Sequence, residues 1–189
     1  MRLTLEERRL EIDLVDADSG VTLFTATSHP GRSSTEVTVT KRSDSPQAQH
    51  APLAKLGFRE VFADTIELFG EDAKKLKAKD YVRSAGKGRW EITLSGDVYI
   101  WSEAEYKDLK LHSSTGVELS HLRAPRHGDE RPTGFFTLQI LDEAVPSSDL
   151  DHIVVSCLYL KHVLKKTAHV GQQIGTAMAN PLGNVGHFG

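Results

Sequence analysis

SSDLDHIVVSCLYLKHVLKK, residues 147–166, is the only long run of the sequence with the pattern of a helix. Its apolar side chains point in every direction around a turn of 3.6 residues, and such a helix is normally enclosed on all sides. A membrane-spanning helix needs about 20 apolar residues, whereas the longest apolar run here, Ile153 to Leu160, is short and contains Ser156. We therefore expect a helix over about 149–166 that lies inside the domain.

Almost everything before this helix has the pattern of short β-strands. The clearest hairpin places Trp90, Ile92 and Leu94 on one face of a strand, turns at Ser95-Gly96-Asp97 and returns through Trp101. We count roughly eleven or twelve strands at the short spacing typical of sandwiches and barrels. The apolar-alternating segments are 2–16, 21–27, 35–41, 53–58, 61–69, 90–101, 106–112, 117–123 and 135–141.

The order of these elements predicts the fold class. No helix-length segment separates the strands, so a parallel sheet of βαβ units is not expected. Many strands followed by one helix that is apolar on all sides indicate a mainly β fold, in which an antiparallel sheet curls around the helix. We assign residues 1–170 to this domain. Residues 171–189 carry no Asp, Glu, Lys or Arg and are rich in Gly, which predicts a mobile or irregular tail.

Composition restricts the classes of function. Hydrophobic residues make up 39% of the chain and charged residues 26%, as in ordinary globular domains. The net charge of −3 argues against a general nucleic-acid binder. The single cysteine excludes an internal disulfide, and the N-terminus lacks the apolar core of a signal peptide. These features favour a soluble cytoplasmic protein.

Four features in this order resemble a known family. They are the Trp90 hairpin, Tyr99-Ile100-Trp101, the turn Ser113-Ser114-Thr115-Gly116, and a strand followed by an apolar helix that ends in Lys165-Lys166. This order is similar to an uncharacterised domain family of mushroom-forming (basidiomycete) fungi. That family is grouped with tubby-like domains, together with the LURP-one-related proteins and the phospholipid scramblases, and the resemblance covers about residues 3–166.

The resemblance implies a closed antiparallel barrel of about twelve strands around a hydrophobic C-terminal helix, classed as α+β in the tubby scheme. Tubby domains bind phosphoinositide head groups and scramblases act on phospholipids, so an anionic lipid ligand is also implied. The scramblases have a membrane-inserting segment and metal-binding features that have no counterpart in this sequence. No functional residue is therefore transferred from them.

The strongest candidate site is the segment 74–89, called here the basic segment. It contains seven basic residues and one acidic residue, Asp80. This pattern suits phosphate groups, because Arg offers bidentate contacts and Lys a point charge. The alternative is that these lysines only solubilise an exposed strand or protect a sheet edge. A short helical turn is expected at 79–82 and a tight bend at Gly86-Lys87-Gly88. The candidate ligand-binding residues are Lys74, Lys75, Lys77, Lys79, Arg83, Lys87 and Arg89.

Other reactive or charged residues have simpler explanations. The spacings of His152, His162 and His169 fit no metal-ligand pair, so we expect no metal and no cofactor. Cys157 lies in the middle of the apolar helix, where a thiol serves packing. Lys161, Lys165 and Lys166 fit the C-terminal end of a helix dipole. A second basic cluster, Arg123, Arg126, His127 and Arg131, is interrupted by Asp129 and Glu130, which favours local salt bridges.

Three functions remain open at this point. The first is a non-enzymatic domain that binds anionic phospholipid or phosphoinositide head groups at a membrane surface. The second is a module for protein interaction or self-assembly, acting through an edge strand or the uncharged tail. The third is an enzyme or small-molecule carrier with a pocket outside the barrel, which needs a cavity of several hundred cubic ångströms.

Overall fold

A computed structural model describes residues 1–42, 51–70, 73–125, 136–141 and 145–178 of the chain. It contains thirteen strands and two α-helices, with a 3-10 turn at Glu105–Lys107. The helices are α1 (Ala78–Tyr81) and α2 (Ser147–Met178). The strands are β1 (Arg2–Glu7), β2 (Glu11–Asp16), β3 (Thr22–Pro30), β4 (Ser34–Lys41), β5 (Ala51–Arg59), β6 (Thr65–Leu68), β7 (Lys74–Lys77), β8 (Arg83–Gly86), β9 (Arg89–Leu94), β10 (Asp97–Glu103), β11 (Leu109–Ser113), β12 (Glu118–Arg123) and β13 (Phe136–Ile140).

All thirteen strands belong to one antiparallel sheet in the order β7-β6-β5-β4-β3-β2-β1-β13-β12-β11-β10-β9-β8. Because the number of strands is odd and neighbours alternate in direction, the end strands β7 and β8 run the same way. They are consecutive in the chain and are joined by α1, and no pairing between them occurs among the described residues. The mainly β, antiparallel prediction is confirmed, whereas closure into a barrel stays a prediction.

Helix α2 supplies the centre of the hydrophobic core. Ile153, Val154, Val155, Cys157 and Leu160 are at most 1% exposed and pack with one face of the strands. The polar Ser156 is tolerated there because its hydroxyl accepts a hydrogen bond from Trp101 Nε1 at 3.0 Å and donates to the Ile153 carbonyl at 3.1 Å. The prediction of an enclosed helix is thus confirmed.

The helix is longer than the sequence predicts. It begins at Ser147 and ends at Met178, so the first residues of the expected tail, 171–178, are helical. Residues 179–189 of that tail lie outside the described part of the chain. No helix in the described ranges has both the length and the apolar character needed to cross a membrane.

Two expected strands begin later than the alternation of residues predicts. The segment 61–69 forms a strand only from Thr65, because the Asp64 side chain accepts a hydrogen bond from the Arg59 backbone N–H at 2.9 Å and fixes a loop over 60–64. The segment 106–112 forms a strand only from Leu109, because Glu105–Lys107 is a 3-10 turn in which Tyr106 has a φ of 60°. Alternation alone does not distinguish such loops from strands.

Candidate functional site

The basic segment forms the two edge strands of the sheet and the helical turn α1 that joins them. Three of its lysines lie on β7, Lys79 lies on α1, Arg83 on β8, and Lys87 and Arg89 at the β8–β9 turn. Lysines on an exposed edge strand hinder pairing with another chain. The edge-protecting role considered from the sequence therefore has direct support from the topology for Lys74, Lys75 and Lys77.

The register of β7 divides its lysines between the two faces of the sheet. Lys74 is paired with the buried Leu68, so it shares the core-facing side with Leu76. Lys75 and Lys77 point to the opposite, outer face, where Lys75 forms an ion pair with Glu67 at 3.6 Å. The three lysines are thus divided between the two faces of the strand.

The cations of β8 and β9 lie at the other edge. Arg83 and Arg89 both project from the outer face, and Arg83 forms an ion pair with Glu91 at 3.4 Å. Lys87 occupies the turn between Gly86 and Gly88, whose φ values of 126° and 67° favour glycine. Lys75 and Arg83 are thus engaged by neighbouring glutamates in pairs that are partly exposed.

The direction of α2 names the two ends of the sheet: the helix-start end lies beside the first turns of α2, and the helix-exit end lies beside Lys161 to Lys166. At the helix-start end, the hydroxyl of Ser95 in the β9–β10 turn donates to the Asp149 carboxylate, whose oxygens lie 2.8 and 2.9 Å away. Lys41, at the end of β4, forms an ion pair with Asp151 at 2.8 Å. Lys74 also lies at this end, since β7 pairs with β6 in the register Lys74 to Leu68.

At the helix-exit end, α2 contacts the ends of β1 and β5. Lys161 forms an ion pair with Glu7, and its ammonium lies 4.7 Å from the centre of the Phe136 ring. The His162 ring stacks on Phe58 with 3.6 Å between ring centres. Four members of the basic segment lie at this end of the sheet: Lys77, Lys79, Lys87 and Arg89.

The lysines of α2 lie at the helix-exit end of the sheet, but they do not lie at the C-terminus of the helix. Because α2 continues to Met178, the explanation of Lys161, Lys165 and Lys166 by the end of a helix dipole is wrong. Lys165 and Lys166 are exposed, and the Lys166 ammonium donates to the Arg59 carbonyl at 3.4 Å. The sequence offered no signal for this arrangement, since Arg59 and Lys166 are 107 residues apart.

These contacts define a basic rim around the loop Glu60–Asp64. The loop is joined to α1, because the Asp64 carbonyl accepts a hydrogen bond from the Ala78 N–H at 2.8 Å. Lys77 and Lys79 flank Ala78, while Arg59 precedes the loop and contacts Lys166. We define the basic rim as Arg59, Lys77, Lys79, Lys165 and Lys166; the acidic residues among them are Glu60, Asp64 and Asp80.

A small cavity opens beside the rim. Its volume is about 150 Å³, its apolar lining includes Leu56, Phe58 and Leu158, and Arg9 and Lys165 also line it. Pockets for drug-sized ligands are usually about 300–1,000 Å³. The cavity is therefore smaller than the carrier or enzyme hypothesis requires.

His162 lies at the wall of this cavity, where partial burial lowers its pKa below the ordinary value of 6.5. The carboxylate of Asp64 opposes this shift, and the ammonium groups of Lys166, Lys165 and Lys161 add to it. The ring is consequently uncharged at neutral pH and serves as an apolar partner for Phe58.

The remaining candidates have structural roles. Burial raises the pKa of the Cys157 thiol to about 12, which removes the thiolate that a nucleophile requires. Within the described ranges, no three His, Cys, Asp or Glu side chains cluster as metal ligands would. His121 is hydrogen-bonded to the buried Asp108 at 3.0 Å. Of the second basic cluster, Arg123 ends β12, and Arg126, His127 and Arg131 lie outside the described residues.

Fold and site together define a class: an antiparallel β-domain built on a buried C-terminal helix, with a basic rim at one end. The chain belongs to a family of unknown function (DUF6593), whose model matches residues 8–166. The match begins at Arg8, just after β1, and ends at Lys166, so it includes the complete basic rim. No curated protein and no solved structure matches the chain.

Proposed function

We propose that this chain is a non-enzymatic domain that binds anionic phospholipid head groups at a membrane surface through its helix-exit end. The observation that carries the proposal is the basic rim, where five cations from three distant parts of the sequence surround one loop. Among the described residues, Lys77, Lys79 and Lys165 form no ion pair with a carboxylate, so they are available to a ligand.

The electrostatics of the rim suit a lipid surface. Each basic residue close to an anionic membrane contributes about 1 kcal/mol. The rim carries five cations and three carboxylates, so its net attraction is modest and sensitive to salt. The anionic leaflet that such a surface fits is the cytoplasmic one, in agreement with the cytoplasmic location expected from the sequence.

We also propose kinship with the tubby-like group and closure of the sheet into a barrel. Two observations support the closure. The buried faces of strands from both halves of the sheet belong to one core with α2, and the two edge strands are joined by the single turn of α1. Ala78, the first residue of that turn, and Val82, which follows it, are buried in the same core.

Vesicle flotation tests the proposal, with phosphatidylcholine vesicles compared with vesicles that also contain phosphatidylserine or phosphatidylinositol bisphosphate. We expect binding to the anionic vesicles only. Lys77→Glu/Lys79→Glu should weaken it by roughly 2 to 4 kcal/mol, which is more than about tenfold. Free inositol phosphate, added as a competitor, distinguishes recognition of a single head group from attraction to the charged surface.

The matched control is Arg42→Glu/Lys74→Glu, which makes the same change in net charge with exposed residues at the helix-start end. This variant should bind as the unmodified chain does. If the unmodified chain fails to bind anionic vesicles in low-salt buffer, the proposed function is wrong. If both double variants lose binding equally, net charge and not the basic rim is responsible.

The assembly hypothesis keeps one structural argument. In an open sheet the strand β8, whose four residues are exposed, is a free edge that can pair with another chain. The three lysines of β7 and the irregular pairing of β8 beside Gly86 both oppose such pairing. Light scattering compares the full chain with a chain ended at Lys166: an oligomer that only the full chain forms indicates tail assembly, an oligomer that both form indicates edge pairing, and two monomers contradict the assembly hypothesis.

A further inference from the structure

We infer that the loop Glu60–Asp64 inserts its apolar tip, Val61-Phe62-Ala63, into the interfacial region of an anionic bilayer. The inference rests on the proposed function and adds the means of anchoring. The basic rim attracts the domain to the surface, and the tip then buries apolar side chains among the lipids. The partner chemistry is therefore a lipid surface and not a free phosphate.

The exposure of the tip is the first observation. The side chains of Val61 and Phe62 are 82% and 72% exposed, and Ala63 is exposed as well. The neighbouring apolar residues on the strands, Phe58 and Ile66, are 5% and 0% exposed and complete the core without the tip. Three consecutive exposed apolar residues are unfavourable in water unless a partner covers them.

The base of the loop is fixed by hydrogen bonds on three sides. The Arg59 N–H donates to the Asp64 carboxylate at 2.9 Å, and the Glu60 N–H donates to the Ser33 carbonyl at 3.3 Å. The Asp64 carbonyl accepts from the Ala78 N–H at 2.8 Å. These bonds hold the loop against the β3–β4 turn and α1, so the base of the loop is fixed and the tip loses little freedom on binding.

The charges around the tip select the partner. The cations of the basic rim flank the loop, so the apolar tip and the positive charge lie at the same end of the sheet. Apolar side chains beside Lys and Arg are typical of segments that lie in the membrane interface. A protein partner would have to offer an acidic apolar pocket, whereas an anionic bilayer offers both chemistries over its whole surface.

A tryptophan reporter tests the depth of the tip directly. Phe62→Trp is measured against phosphatidylserine-containing vesicles with brominated acyl chains, after subtraction of the unmodified chain's fluorescence. We expect a blue shift and quenching by the brominated lipid. The control is Val117→Trp, a position that is 58% exposed in the β11–β12 turn at the helix-start end, which should show neither effect.

A binding measurement gives the contribution of the tip. Val61→Ser/Phe62→Ser should lower the partition onto the same vesicles by roughly tenfold, because the apolar area buried in the bilayer is lost. The control Val117→Ser/Leu141→Ser removes exposed apolar side chains at the helix-start end and should leave partition unchanged. The charges of the basic rim are the same in both variants.

The outcomes separate this inference from the proposed function. Absence of vesicle binding by the unmodified chain overturns both. Binding without fluorescence change in Phe62→Trp, together with normal partition of Val61→Ser/Phe62→Ser, overturns insertion and leaves head-group binding standing. An oligomer in light scattering that Val61→Ser/Phe62→Ser converts to a monomer, with vesicle binding unaffected, assigns the tip to self-association and overturns insertion.

Discussion

The two ends of the sheet differ in how their polar groups are used. At the helix-start end, Asp149 accepts a hydrogen bond from Ser95 of the β9–β10 turn, and Asp151 of α2 is paired with Lys41 of β4. At the helix-exit end, the lysines of the basic rim are exposed beside an apolar tip. Paired polar groups near the core stabilise the fold, whereas exposed cations and apolar side chains contribute little to it. The second arrangement is what a binding surface requires.

The largest expected effect is the loss of the whole fold, and with it of both ends of the sheet. Val155, at 1% exposure, lies in the part of α2 around which the sheet packs. Val155→Asp places an unpaired charge in the core, and the free energy of unfolding should fall by several kcal/mol, enough to prevent folding. Circular dichroism and hydrogen exchange measure the result. The control Val155→Thr preserves the shape and should fold with a smaller loss, about 1 to 3 kcal/mol. A normally folded Val155→Asp would contradict the central position of α2.

A smaller effect is expected on the free energy of unfolding, and it should differ between variants at the two ends of the sheet. Asp149→Ala removes a buried carboxylate that accepts from Ser95 and lies in the first turn of α2, so unfolding free energy should fall by about 1 to 2 kcal/mol. Lys165→Ala, at the exposed basic rim, should change it by less than about 0.5 kcal/mol. Urea unfolding of both variants makes the comparison. Equal losses would show that the rim also serves stability.

The smallest effect is a pH dependence at the helix-exit end. Burial lowers the folded-state pKa of His162 below its ordinary 6.5, so below that pH the unfolded chain binds more protons. Its contribution to stability is complete above 6.5 and is lost as pH falls through the folded pKa. We expect the stability of His162→Gln to decline less steeply than that of the unmodified chain between about pH 7 and about pH 5. Parallel urea-midpoint curves over this range would contradict the shift.

Local patterns predicted much of the fold. The alternation in Trp90, Ile92 and Leu94 depends on one strand alone, and the structure contains that strand with a turn at Ser95-Gly96. The enclosed position of α2 was equally predictable, because its apolar side chains cover the whole circumference. The late start of β6 was not, because it depends on Asp64 bonding to Arg59 and Ala78. The extension of α2 to Met178 was also missed, since the Gly-rich composition indicated an irregular tail.

The candidate site was predicted less well than the fold. The sequence identified the basic segment but treated its seven cations as one group. The strand register separates Lys74 from Lys77 and pairs Lys75 with Glu67, and register follows from contacts between distant residues. Arg59 and Lys166 were not predicted as site residues, because they are 107 residues apart and only the tertiary structure brings them into contact.

What the sequence by itself determined is the pattern of buried and exposed positions: strands that alternate, one helix apolar on every side, and a cysteine suited to packing. These are properties of neighbouring residues, which periodicity records. Only the tertiary structure decided which strands form the sheet edges, which cations share an end of the molecule, and that Val61 and Phe62 project into solvent. Those features depend on pairings between residues that are far apart in the chain, which no local pattern specifies.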